Sequence, residues 1–159
     1  MQEPAPYRFT ANYDQSIEAK LAFRHKSRIG WATEIATDRR FFDSRRGRRP
    51  VTARLVRFDE PVHPHRIEAW CEANGKILGQ PKDLIDLRHA FPSPALDDEM
   101  PILALGRLWV DPELHSIGGA LHLYCDANGT GLHSTWLCPS ATFGTNWRFL
   151  VLDRDGAMQ

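Results

Sequence analysis

The sequence predicts an α+β domain in which two or three helices pack on an antiparallel sheet that ends in a four-stranded meander or a small, partly open barrel. Two stretches, 65–74 and 82–90, have the apolar spacing of helices and begin beside prolines. Four short apolar segments after residue 101 are separated by turn residues. The length of 159 residues, with 42% hydrophobic and 25% charged residues, is typical of one globular domain spanning 1–159.

The first third of the chain contains one predicted helix and two predicted strands. Residues 14–25 predict a helix with Asp14 as its N-cap, although a strand at 21–23 fits almost as well. Apolar residues alternate with small or polar ones over 29–36, which predicts a half-buried strand. A second strand is predicted over 51–58. The intervening segment, 37–50, is too long for a tight hairpin turn and is predicted to be a loop.

The two predicted central helices have defined ends. Pro64 suits the first turn of the helix at 65–74, and Asn74-Gly75 supplies a left-handed stop. Pro81 similarly begins the helix at 82–90. Residues 92–101 contain three prolines and the acidic run Asp97-Asp98-Glu99, which predicts a solvated acidic loop.

The C-terminal part, 102–153, predicts the meander, with strands over 102–110, 120–125, 132–138 and 147–153. A two-residue turn at Asn128-Gly129 would pair His122 with Thr135 and Tyr124 with His133. These four side chains would then share one sheet face, which is either an ordinary solvent-facing surface or a small polar site. The five tryptophans fall within or beside predicted elements and are predicted to be core residues.

Charge is distributed unevenly along the chain. Residues 1–57 hold 13 Lys and Arg against 6 Asp and Glu, whereas 58–159 hold 7 against 14, which gives +7 and −7. The basic excess is densest in the loop, where six arginines occur in eleven residues. The arginine fork binds carboxylates and phosphates, and an exposed phenylalanine fills a pocket or stacks on a base. The candidate binding residues are Arg39, Arg40, Phe41, Phe42, Arg45, Arg46, Arg48 and Arg49.

Other site types find little support in the sequence. No segment approaches the roughly 18 consecutive apolar residues of a membrane span, so no membrane partner and a cytoplasmic location are expected. The three cysteines are an odd number at unrelated spacings, typical of reduced thiols. No glycine-rich phosphate loop, nucleophile elbow or zinc-ligand spacing occurs, so neither a cofactor, a metal nor a catalytic residue is predicted.

Three functional hypotheses follow. The preferred one is a non-enzymatic interaction module, for example an inhibitor or adaptor, whose arginine-rich loop docks on an acidic partner protein. Inhibitors encoded by phages and mobile elements offer an analogy in size. The second is nucleic-acid binding through the same loop. The third is a small enzyme that uses the histidine-bearing sheet face. A loop that is merely solvated, with both phenylalanines in the core, needs no partner at all.

Overall fold

The computed structural model describes residues 4–23, 35–110, 113, 118–127 and 129–154, and all statements of structure concern these residues. Three helices pack on a seven-stranded mixed sheet that is open and not closed into a barrel, so the predicted α+β class is confirmed. The helices are α1 (Ile17–Phe23), α2 (Pro64–Ala73) and α3 (Pro81–Ala90). The strands are β1 (Tyr7–Asn12), β2 (Arg48–Val56), β3 (Lys76–Leu78), β4 (Ile102–Val110), β5 (Gly118–Asp126), β6 (Gly129–Leu137) and β7 (Arg148–Asp153).

The last strand lies in the middle of the sheet, whose order is β1-β2-β7-β4-β5-β6. One edge of β7 pairs antiparallel with β2. Two strands share its other edge and lie end to end along it. Strand β4 pairs with β7 in parallel at Ile102 and Leu103, and β3 pairs with it antiparallel at 76–78. The meander therefore contains three strands, β4 to β6, and the predicted fourth strand instead joins the meander to the antiparallel pair β1–β2.

Each face of the sheet carries its own core. Helices α1 and α3 cover one face with residues such as Ile17, Leu84 and Ile85. Helix α2 covers part of the other face with Ile67 and Cys71. This arrangement follows from the period of two in the strands, which places alternate side chains on opposite faces. No helix of the described chain is long and apolar enough to cross a lipid bilayer.

The predicted helices are confirmed, with one change of cap. Helix α2 begins after His63, whose Nδ1 accepts a hydrogen bond from the His65 amide at 3.1 Å, and Gly75 follows it with φ of 65°. Helix α1 begins after Ser16, whose Oγ accepts from the Ala19 amide at 3.0 Å. The prediction that Asp14 is the N-cap was wrong, because its carboxylate instead accepts from the Gly47 amide at 2.9 Å.

The strand predictions had mixed outcomes. Strand β2 is confirmed with its start three residues earlier than predicted, and the loop at 92–101 contains only a short 3-10 helix at Asp97–Glu99. Most of the strand predicted over 29–36 lies outside the described residues, and its last two residues form a turn. Strands β1 and β3 were not predicted.

The register of the β5–β6 hairpin differs from the predicted one by two residues. Asp126 pairs with Gly129, and His122 pairs with His133. Of the turn predicted at Asn128-Gly129, Asn128 lies outside the described residues, and Gly129 is not a turn residue but the first residue of β6, with a φ of 112°. Since the slip is an even number, the same side chains still share a face.

Strand β4 contains a large bulge that shapes the molecule beside it. Ala104 pairs with Leu121 and Trp109 pairs with Gly119, so residues 105–108 lie opposite Ala120 alone. At the bulge the Gly106 amide donates to the Gly79 carbonyl at 2.8 Å, and the Gly79 amide donates to Leu150 at 2.8 Å. The backbone at Gly79 and then β3 therefore pair with β7 from Leu150 onward. Strand β4 cannot continue its own pairing with β7 there, and this pairing ends at Leu103.

Candidate functional site

The arginine-rich loop is held in place by a buried network of charges, and Arg45 is its centre. The Arg45 guanidinium lies 2.6 Å from Asp43 and 2.9 Å from Asp83, and its Cζ lies 4.0 Å from the Tyr13 ring centroid. Burial alone would lower the pKa of Arg45, but the two carboxylates raise it above its ordinary value. Arg45 is therefore neutralised by its own chain and points inward. The hypothesis of an arginine-presenting loop had assumed that this side chain faces outward.

Further buried pairs extend this network beneath the loop. Lys20, which is fully buried, lies 2.6 Å from Asp86 on α3. Lys82, also on α3, donates to the Tyr13 carbonyl at 2.9 Å, and burial raises the pKa of the Tyr13 hydroxyl, which donates to Asp83 at 2.7 Å. Because each buried charge has a partner, this part of the loop is a fixed structure on α1 and α3.

The two phenylalanines of the loop point in opposite directions. Phe41 is fully buried in the core with α1 and α3, so its side chain is unavailable to a partner. Phe42 is 53% exposed. A turn in which the Phe41 amide donates to the Thr37 carbonyl at 3.0 Å sets this orientation. Of the two predicted aromatic anchors, the structure leaves one at the surface.

The arginines at the end of the loop lie on a separate part of the surface. Arg48 and Arg49 begin β2 and pair with β1. Arg49 donates from Nε to the Arg46 carbonyl at 3.1 Å, while Arg46 donates to the Arg45 carbonyl at 3.3 Å. Arg46 and Arg48 are exposed. The six arginines therefore divide into an inward one, three near the start of β2, and two at the start of the loop.

Arg39, Arg40 and Phe42 line an open groove of about 1120 Å³ beside β4. Two cation–π contacts connect its walls, with Arg40 Cζ 5.3 Å from the Trp109 ring centroid and Arg107 Cζ 6.0 Å from that of Phe42. Three arginines and Glu18 are the charged residues in the described lining, so the groove is cationic. Its described lining comprises Glu18, Thr37, Arg39, Arg40, Phe42, Leu105, Gly106, Arg107, Leu108, Trp109 and Val110; we call it the β4 groove.

Exposed apolar side chains concentrate at the β4 groove. The large hydrophobic residues exposed in the described chain are Phe42, Leu108, Val110 and Trp136, and the first three line the groove. Trp136 on β6 is 55% exposed, and its ring centroid lies 5.3 Å from that of the lining residue Trp109. The prediction that Trp136 is a core residue was therefore wrong. Exposed apolar residues gathered in one patch, and rimmed by polar groups, mark interaction sites.

The β4 part of this site was missed from the sequence. Residues 102–110 were predicted only as a strand of the meander and Trp109 as a core residue, so neither Arg107 nor Trp109 was among the candidate binding residues. A signal was present, because Gly106-Arg107 interrupts an otherwise apolar strand, and an isolated glycine in a strand indicates a bulge or a close backbone approach.

The acidic loop at 92–101 has partners of its own. Glu99 lies 2.7 Å from Arg148 of β7, and Asp97 accepts a hydrogen bond from the Ser93 hydroxyl. In the arginine-rich loop, the neutralising groups are instead Asp43 and Asp83, and they act on Arg45.

The histidine-bearing face forms a separate aromatic cluster. His122 is hydrogen bonded through Nδ1 to the Thr135 hydroxyl, and its ring centroid lies 5.1 Å from that of Trp147 and 5.7 Å from that of His133. Burial, with a smaller effect from His133, lowers the pKa of His122 to about 4. A group with this pKa is a weak base near neutral pH, so the cluster adds little to the enzyme hypothesis. The described residues contain no group of three or more potential metal ligands.

The described part of the chain thus contains one surface that joins arginines with exposed aromatic and aliphatic side chains, and that surface is the β4 groove. Comparison of the chain with protein-family models, with curated proteins and with solved structures finds no match.

Proposed function

We propose that this protein is a non-enzymatic interaction module that docks an acidic segment of a partner protein in the β4 groove. The single observation that carries the proposal is the coincidence of guanidinium groups and exposed apolar side chains on the same surface, with Arg39, Arg107 and Phe42 as its centre. Arginine and aromatic residues are the side chains most enriched among energetic anchors of protein interfaces. An inhibitor or adaptor role is consistent with this surface.

The composition of the groove supports a protein partner over a nucleic acid. Nucleic-acid affinity comes largely from phosphate neutralisation and needs many cations spread along a backbone. Here the groove offers three arginines, while the inward position of Arg45 removes one cation from the loop. Exposed aliphatic residues, Leu108 and Val110, match apolar side chains of a peptide better than phosphates and sugars.

The experiment measures binding of a fluorescent peptide of alternating glutamate and valine, beside a short DNA duplex and a single strand. Phe42→Ala is expected to weaken peptide binding about tenfold or more, equivalent to about 1.4 kcal/mol, because an exposed anchor is lost without changing the fold. Arg39→Ala and Arg107→Ala should weaken it as well. Arg48→Ala, which removes an exposed arginine outside the groove, is the matched control and should bind like the parent.

Two outcomes decide against the proposal. If the peptide does not bind, or if Phe42→Ala binds it as well as the parent, the β4 groove is not a peptide site. The second outcome is that both DNA probes bind more tightly than the peptide, and that their affinity falls steeply between about 50 and about 200 mM salt. If Arg39→Ala and Arg48→Ala also weaken DNA binding equally, the arginines bind nucleic acid.

A further inference from the structure

Strand β6 is the outer strand at one end of the sheet, and its free edge is long and regular. In the described chain β6 pairs with β5 alone, from Gly118–Leu137 to Asp126–Gly129, without a shift of register. The strand has 9 residues and is therefore about 30 Å long at roughly 3.3 Å per residue. Every second residue of such a strand directs its N–H and C=O groups away from β5, where another strand can pair with them.

The sequence of β6 lacks the features by which exposed strand edges are normally protected. Proteins block such edges with charged side chains, prolines, bulges or very short strands. Strand β6, GTGLHSTWL, contains no proline, aspartate, glutamate, lysine or arginine, and its pairing with β5 is regular. The strand at the opposite end of the sheet, β1, is shorter, carries Arg8 and follows Pro6. The described chain therefore protects one edge of its sheet and leaves the other open.

We propose that a second copy of this chain covers the edge of β6, and that its own β6 pairs antiparallel there about a two-fold axis perpendicular to the sheet. The proposal concerns a surface other than the β4 groove and does not depend on the proposed function. A two-fold axis makes an antiparallel strand edge complementary to itself, because each strand offers the same donors and acceptors in reverse order. The two protomers then share one continuous sheet.

Charge favours a second copy over an unrelated partner. A strand that pairs with its own copy brings equal side chains near one another, so any charge on it would be repelled. Strand β6 has no Asp, Glu, Lys or Arg, and the whole chain has a formal net charge of zero, which removes long-range repulsion between copies. An uncharged strand also offers a foreign partner no charge by which it could be selected.

The exposed side chain of Trp136 lies where the second copy covers it. Trp136 is near the end of β6, so the two-fold axis places it beside the first half of the second copy's β6. Exposed aromatic residues are frequent interface anchors. Full pairing gives about eight main-chain hydrogen bonds, close to the number in a typical protein interface. Because the edge of a sheet is narrow, the buried area is small, and the expected Kd is on the order of 10 μM.

The test exchanges His133, the central residue of β6, for charged residues of either sign. In full antiparallel pairing this residue lies opposite its own copy, so equal charges repel and opposite charges attract. His133 is exposed, and its Nδ1 lies 2.9 Å from the Ser134 carbonyl oxygen at the surface, so the exchanges leave both cores intact. Sedimentation velocity measures dimerisation of the parent, His133→Glu, His133→Lys and an equal mixture of these two variants. Thr10→Glu, which places a charge at an exposed position of β1, is the matched control.

We expect the parent to be largely dimeric at about 100 μM and largely monomeric at about 1 μM. Each single variant should dimerise at least about tenfold more weakly, whereas the mixture should dimerise as well as the parent or better. Thr10→Glu should match the parent. Amide hydrogen exchange in β6 should slow as the parent is concentrated, while exchange in β1 should not change. This measurement needs no variant, so it decides the question even where a substitution impairs folding.

Three results would overturn the proposal. The first is a parent chain that stays monomeric up to about 300 μM, a concentration well above the expected Kd. The second is a His133→Glu variant that dimerises like the parent, or a mixture of the two variants that stays monomeric. The third is a dimer that forms without slower exchange in β6, because another surface would then join the copies.

Discussion

Stability in mild acid should depend on His122. Burial lowers the pKa of this side chain from 6.5 to about 4, so the folded protein holds a neutral imidazole that the unfolded chain protonates more readily. A lowered histidine pKa gives a contribution that is fully present above pH 6.5 and is lost as the pH falls from there towards 4. From about pH 7 to about pH 5, the expected loss in the free energy of unfolding is about 2 kcal/mol.

The assay is urea denaturation at a series of pH values for the parent chain, His122→Asn and His133→Asn. Asparagine keeps a polar atom close to the position of Nδ1, within reach of the Thr135 hydroxyl, and it does not titrate. His122→Asn should therefore lower the stability at neutral pH but remove most of its pH dependence. His133→Asn, which changes an exposed neighbour, should retain most of it, because burial is the main cause of the shift.

The reasoning is refuted if the parent and His122→Asn lose stability in parallel between about pH 7 and about pH 5. Parallel curves would mean that other groups bind the protons taken up on unfolding. They would also mean that the ring of His122 is better solvated than its contacts with Trp147 and Thr135 imply.

Two further predictions concern the segments that frame the β4 groove. Arg45→Met leaves two buried carboxylates without their cation and should lower the free energy of unfolding, measured by urea denaturation, by about 3 to 5 kcal/mol. Arg46→Met changes the exposed neighbour and should change it by less than about 0.5 kcal/mol. Similar losses for the two variants would contradict the buried network. Gly106→Ala places a methyl group 2.6 and 2.7 Å from the backbone oxygens of Leu78 and Gly79 and should destabilise the protein by about 1 to 3 kcal/mol, measured in the same way. An unchanged denaturation midpoint would mean that β4 passes the backbone of residues 78 and 79 less closely.

Local signals in the sequence were sufficient for most helices and strands. Pro64 and Gly75 delimit α2, and the apolar run after Pro101 matches β4 in both bounds, because propensity, hydrophobic pattern and turn residues agree there. Strand β1 was missed although its sequence, YRFTAN, alternates apolar with polar residues, which is the period of two typical of a half-buried strand. The central position of β7 was also missed, because pairing between distant segments leaves no mark in local periodicity.

The candidate site was predictable from the sequence only where its residues are neighbours along the chain. Composition identified Arg39, Arg40 and Phe42, because an arginine cluster is visible without any knowledge of the fold. Composition could not show that Arg45 turns inward, since Asp83 lies 38 residues away along the chain. Composition also could not show that the loop lies beside Arg107, which the bulge in β4 brings to the groove.

The central position of β7 has a consequence for the order in which the protein acquires its structure. During synthesis, the antiparallel pair β1–β2 and the meander of β4 to β6 both emerge before the strand that pairs with each of them. Until residues 148–153 are available, the sheet exists as two pieces with unsatisfied inner edges. A chain that stops before Arg148 would expose those edges together with the apolar residues of both cores, which makes it a substrate for chaperones and proteases.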